Sequence, residues 1–322
     1  MAGPEEEMKL HIWAGAWGLP SIDPDSLQCL ANIRFAGVPV KIIECNNPWK
    51  SPVGRIPFLK VGSQCMQSPN DISAYLRSRN FSADYGLSSV ECAETLAYME
   101  FIWDTLQIAY QYFGWVHQSN FDDVMRPFIG KRLPWVYKMW YPEKIRKRAV
   151  GVITSVYSDA EGQPESVERY ITQKTQSCIK LLAEKLGSRE FFMGKSSPTT
   201  IDSVVFSYLS FFWKVPLAHN PVKEFIKTTP TLENYLARIL NRYFPVGPRK
   251  IEGQISSTRL VYGMDGEVIG SDDSTEYPLS HKIFAIVFTS ALMIWYGYRN
   301  QIVRLPRSEP NIAQEDDDEY WE

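Results

Sequence analysis

The 322-residue sequence is short of cysteine and histidine and carries no strong excess of either charge. Its five cysteines, Cys29, Cys45, Cys65, Cys92 and Cys178, are scattered, odd in number and never spaced as CxxC. That argues against a disulfide framework and against a cysteine zinc site; reduced thiols facing the cytosol are the simple reading. The four histidines, His11, His117, His219 and His281, are far apart and show no metal-ligand spacing, so no metal is expected. A net charge of −3 gives no global electrostatic case for nucleic acid. No GxGxxG, Walker loop or GxSxG occurs, and the many carboxylates form no distinctive pair. The first ten residues, MAGPEEEMKL, are acidic and lack an apolar run, unlike a secretory signal or an Arg-rich transit peptide. Any membrane address is therefore expected at the C-terminus.

Ordinary globular composition is present, with 44% hydrophobic and 22% charged residues. The length suits one large domain or two small ones. KLHIWAG (9–15) reads as a buried strand. Asp23 can cap, and Pro24 can begin, a helix that shows apolar spacing at Leu27, Leu30 and Ile33 and stops at Gly37. VPVKIIEC (38–45) is a second strand, which predicts a βαβ unit with parallel pairing. A loop (46–55), two short strands and a helix from Asn70 to about Arg79 follow. Beyond Asp84 strand signals largely vanish, and helical patterns run over 88–112, 119–132, 143–156, 165–186, 200–213 and 229–242. Residues 246–280 mix Gly, Ser and charge and are expected to be a flexible linker.

The βαβ-ββα order, Ile56-Pro57 before a short strand and QSPNDISAYL at the next helix start resemble the thioredoxin-like half of a glutathione transferase. SSPTTIDSVVFSYL resembles the capping-box helix of that superfamily, with Thr199 at the cap and Asp202 three positions on. Within the superfamily, WAGAWGLPSIDPDSL, NPWKSPVGRIPFLKV, NFSADYGLS, LGSREFFMGKSSPTTIDSVVFSYL and LNRYFP resemble metaxin segments, in order, from about residue 9 to 245. The apolar C-terminal helix resembles the anchor of the metaxin-1 type. The resemblance implies an α/β thioredoxin-like N-terminal domain (1–80) and an all-α C-terminal domain (84–245), glutathione-transferase-like together. The linker (246–280), a C-terminal transmembrane helix (281–303) and an acidic tail (304–322) complete the expected organisation. NFSADYGLS has no catalytic rationale and serves as a family mark.

The anchor is argued from Ile283, Phe284, Ile286, Val287, Phe288, Leu292, Ile294, Trp295 and Tyr298. About 16 uncharged residues span roughly 24 Å at roughly 1.5 Å per residue, short of the roughly 30 Å hydrocarbon layer. Lys282 and Arg299 can snorkel to extend the reach, and the closing aromatics suit an interfacial belt. A core helix would keep a polar stripe, and this one has none. The short span suits a thin membrane. The resemblance implies the mitochondrial outer membrane. A positive-inside count would put the tail in the cytosol; the family implies N-terminal domains in the cytosol instead.

A transferase needs a donor, usually Tyr, Ser or Cys just after the first strand, that holds the glutathione sulfur as thiolate. Here Tyr and Cys are absent, and Ser21 lies late in the loop, where a turn or helix-entry role is favoured. Pro57, Gln67 and Ser68 resemble parts of a peptide-binding cleft. With Ser21 they are read as a vestige, and no cofactor and no catalytic residue are expected. GKRLPWVYKMWYPEKIRKR (130–148) mixes basic and aromatic residues. Contact of Lys144, Arg146, Lys147 and Arg148 with anionic headgroups is weighed against an exposed helix face with ordinary core aromatics.

The resemblance implies a non-enzymatic subunit of the sorting and assembly machinery that inserts β-barrel proteins. The implied partners are the barrel-forming core of that machinery, a second metaxin and the lipid bilayer, without nucleic acid. The family also implies a role as adaptor in mitochondrial transport. The alternative is a membrane-bound glutathione-dependent transferase.

Overall fold

The computed structural model describes residues 7–52, 54–157, 164–245, 260–262, 268–271, 287–290 and 292–293. The chain divides into two compact units, Met1–Asp272 and Asp273–Glu322. In the first, a mixed sheet contains β1 (Met8–Ile12), β2 (Lys41–Glu44), β3 (Phe58–Val61) and β4 (Gln64–Met66), in the order β2-β1-β3-β4. β1 runs parallel to β2, with Leu10 opposite Ile42, and antiparallel to β3, with Leu10 opposite Leu59. β3 and β4 form an antiparallel hairpin.

The parallel pairing follows from the crossover helix α1 (Pro24–Phe35). The Asp23 carboxylate accepts from the Ser26 N–H at 2.9 Å, Pro24 stands in the first turn, and Gly37 takes a φ of +64° just past the end. α2 (Pro69–Ser78) begins the same way, with Ser68 Oγ accepting from the Asp71 N–H at 3.0 Å. α1 is buried on two sides. Leu30 and Ile33 pack with Leu10, Ile12, Leu59 and Val61, while Leu27 and Ala31 join the core of the helical part.

That part contains α3 (Ser89–Ile102) and α4 (Ile108–Tyr110), joined and prolonged by π turns at Trp103–Gln107 and Gln111–Val116. α5 (Gln118–Asn120), a π turn at Phe121–Met125 and α6 (Arg126–Arg132) follow. Then come α7 (Trp135–Lys138), α8 (Tyr141–Val156), α9 (Pro164–Leu186), α10 (Thr200–Lys214), α11 (Pro221–Lys227) and α12 (Pro230–Tyr243). The sequence pattern over 88–112 thus extends to Val116. α7 and α11 fall outside every predicted helix, because each is too short to show a period.

α10 is buried along nearly its whole length, and its start is held by two carboxylates. Asp202 accepts from the Thr199 N–H at 2.8 Å, the Thr199 hydroxyl at 2.9 Å, the Phe192 N–H at 3.1 Å and the Tyr235 hydroxyl at 3.0 Å. Asp84 accepts from the Thr200 N–H at 2.8 Å and the Thr200 hydroxyl at 2.6 Å. Orphan donors of a buried helix start need such partners. The NFSADYGLS motif therefore has a structural use: Asp84 caps α10, and Ser88 with Glu91 forms the capping box of α3.

Two further stretches are described in part. Within the stretch read as linker, β5 (Leu260–Tyr262) pairs antiparallel with β6 (Val268–Ser271). Leu, Val, Tyr and Ile suit a strand, and the GMDGE between them has turn composition. Of the expected anchor, residues 287–290 and 292–293 are helical, with Val287, Phe288, Leu292 and Met293 exposed. Ile283, Phe284, Ile286, Ile294, Trp295 and Tyr298 lie outside the described residues. No helix among the described residues is long and apolar enough to cross a membrane.

Candidate functional site

The loop after β1 is where thiol chemistry would reside, and it is tightly closed. Ala16 and Leu19 pair as an isolated bridge, and Trp17 holds a left-handed φ of 52°. A Cβ on Gly15 would lie 2.2 Å from the Leu19 carbonyl oxygen, so only glycine fits there. The Trp17 ring meets Phe128 with centroids 4.7 Å apart. The Arg132 guanidinium lies 3.6 Å over the same Phe128 ring and donates to the Gly15 carbonyl at 3.3 Å. The loop is thereby strapped to α6.

Ser21 is fully buried, and its Oγ accepts from the Asp23 N–H at 3.4 Å. The positive end of α1, which could stabilise a thiolate, is already filled by carboxylate. Asp23 accepts from both the N–H and the hydroxyl of Ser26, and Asp25 follows in the first turn. Burial and the neighbouring Asp25 push the Asp23 pKa up to about 7. Burial first, then Asp25 and Asp23, push the Cys29 thiol well up, so it is no nucleophile. A sulfur placed here would find the helix end already capped by the Asp23 carboxyl.

The other cleft residues are also engaged. Pro57 is buried and follows a cis Ile56–Pro57 bond. The Gln67 side chain neighbours the Cys65 thiol, whose pKa burial raises. Ser68 caps α2. Ser21 and Ser68 thus have their hydroxyls at the entries of their own helices.

A second feature is a cluster of aromatics. Trp49, in the loop between β2 and β3, stacks on Tyr137 with centroids 3.7 Å apart and meets Trp140 edge-on at 5.3 Å and Tyr141 at 5.4 Å. The basic segment divides by role. Arg146 donates to Gln118 and to the Val116 carbonyl, with its guanidinium 4.7 Å over Phe121, so the fold occupies it. Arg148 is exposed, and partial burial of its guanidinium lowers its pKa. Lys144 and Lys147 are exposed. The aromatics are not all core: Trp135 is 77% and Met139 74% exposed, beside exposed Val136, Lys138 and Trp140.

The sequence spacing of the histidines concealed one grouping. His117 and His219 come together with Glu168 of α9. Contacts between residues some 50 positions apart leave no local signal.

Comparison with known proteins then decides the family. Residues 26–146 match the family described as "Outer mitochondrial membrane transport complex protein", and residues 175–239 match the "Glutathione S-transferase, C-terminal domain" family. Bos taurus Metaxin-1 is 32% identical, over 76% of this chain and 77% of its own. Xenopus laevis Metaxin-3 is 32% identical, over 74% of this chain and 77% of its own. The chain belongs to the metaxin family. Homo sapiens Metaxin-1 is 28% identical over 99% of this metaxin and 68% of its own length. A glutathione S-transferase of Ceriporiopsis subvermispora, solved with glutathione, has a TM-score of 0.51. It covers 74% of this metaxin and 99% of its own chain at 14% identity, so it shares the fold.

Proposed function

We propose that this metaxin is a non-enzymatic subunit of the sorting and assembly machinery that inserts β-barrel proteins into the mitochondrial outer membrane. Residues 281–303 tether it by the tail, with the thioredoxin-like and helical domains in the cytosol. Its partners are the barrel-forming core of the machinery and a second metaxin. An adaptor role in mitochondrial transport is compatible with the same body.

The observation that carries this reading is the state of the loop after β1. Its one hydroxyl, Ser21, is buried and turned to the Asp23 N–H, and the end of α1 beside it is already capped by the Asp23 carboxyl. Thiolate activation needs the opposite. An interaction protein needs surface instead, and Trp135, Val136 and Met139 supply it beside Lys138, Lys144 and Lys147. The family description names the same membrane.

The test is affinity purification of the intact chain from mitochondria in mild detergent. Co-purification of a β-barrel membrane protein and a second metaxin is the expected result. The alternative, a glutathione-dependent transferase, requires specific retention on glutathione-agarose that Ser21→Ala or Gln67→Ala abolishes. Such retention without barrel partners overturns the proposal.

A further inference from the structure

We propose that His117, Glu168 and His219 form a binding site for a divalent transition-metal ion of the zinc class. The inference is independent of the membrane role. One ligand atom from each side chain lies within 4.8 Å of the other two. His219 Nε2 and Glu168 Oε1 are 2.8 Å apart. The imidazoles of His117 and His219 stack with centroids 4.8 Å apart and planes 15° from parallel. Two imidazoles and one carboxylate are a donor set that zinc takes, with water completing a tetrahedron. Magnesium and calcium prefer oxygen donors alone.

The scaffold around the three is built rather than incidental. Glu168 comes from α9, and its second oxygen accepts from the Tyr112 hydroxyl at 3.0 Å, which leaves Oε1 turned to His219. Such outer contacts orient a metal's ligands. Fully buried Asn120 fixes the backbones that carry the histidines. Its Oδ1 accepts from the His219 N–H at 2.8 Å, while Nδ2 donates to the His219 carbonyl at 2.7 Å and the Phe113 carbonyl at 2.8 Å. The His117 N–H donates to the Tyr112 carbonyl at 2.8 Å, at the end of the π turn. His117 Nδ1 is buried with no hydrogen-bond partner, which a buried polar atom seldom tolerates. The His219 and Glu168 side chains are 46% and 29% exposed, so an ion can reach them from solvent.

The plain alternative is a His219–Glu168 ion pair with a stacked neighbour. Titration of the full-length, detergent-solubilised chain with Zn2+ by calorimetry, and with Co2+ by visible absorption, separates the two. The expected result is one ion per chain and the intense visible band of a tetrahedral Co2+ site. His219→Asn, whose side chain is half exposed, and Glu168→Gln, which keeps the Tyr112 contact, each weaken Zn2+ binding ten-fold or more. Their melting temperatures in chelator stay near that of the parent. His11→Gln, at a distant stack on Phe58, leaves binding unchanged. Absence of 1:1 binding at 100 µM Zn2+, or affinity unchanged in both site variants, overturns the proposal.

Discussion

Trp49 lies flat on Tyr137, ring centroids 3.7 Å apart and planes 14° from parallel. The contact joins the loop between β2 and β3 to α7, a joint that no local sequence pattern announces. Stacked aromatic pairs contribute about 0.5–1.5 kcal/mol beyond the area they bury. Trp49→Ala is expected to lower stability by about 1–2 kcal/mol in urea unfolding. A double-mutant cycle with Tyr137→Ala isolates a coupling of about 1 kcal/mol if the stack holds in solution; additive single effects would contradict it.

The Asp202 carboxylate serves four donors in the core. Removing it leaves those donors without a partner. Asp202→Ala is expected to cost about 3–5 kcal/mol, measured by chemical denaturation. Tyr235→Phe removes one of the four donors and is expected to cost about 1 kcal/mol.

The end of α1 gives a pH dependence. The Asp23 pKa is about 7 in the fold against 3.8 for the ordinary side chain, raised by burial and by Asp25. The folded chain therefore binds the proton more tightly than the unfolded one. The stabilisation is full below about pH 4 and disappears as the pH rises through about 7. Asp23→Asn keeps a good N-cap and removes the titration. The melting temperature of the parent should fall between pH 5 and pH 8 more steeply than that of Asp23→Asn; parallel curves would refute the assignment.

The exposed face around α7 makes a prediction about lipid. The 1–272 unit should bind anionic vesicles more tightly than neutral ones. Lys147→Ala should weaken that binding about five-fold, since a cation at an anionic surface contributes about 1 kcal/mol. Trp135→Ala with Met139→Ala should weaken it further. Arg146→Ala should instead lower thermal stability, because that guanidinium is spent on Gln118, Val116 and Phe121. Flotation with liposomes of both compositions checks the first three, and thermal melting checks the Arg146 variant.

Much of the fold was legible. Asp23-Pro24, Gly37 and the spacing between them marked α1, and the strands on either side implied parallel pairing. Thr199 and Asp202 marked the start of α10. These signals are local, so the chain displays them. What was not legible is set by distance. Asp84 reaches Thr200 across 116 positions, and only the folded chain shows that NFSADYGLS is a cap. His117, Glu168 and His219 come from three separate segments, so ligand spacing along the sequence missed them. Arg146 and Lys147 are adjacent in sequence and look equally basic, yet one is spent inside the fold and the other is exposed. Ser21 was the exception: its lateness in the loop already implied a helix-entry role, and its hydroxyl accepts there.

The proposed function requires a body tethered in lipid by residues 281–303. Isolated mitochondria carrying the full chain, or the chain without residues 281–322, should be washed with alkaline carbonate and the pellet and supernatant probed. The full chain is predicted to stay in the membrane pellet while the shortened one is released. Recovery of the full chain in the supernatant would contradict the tether and the function built on it.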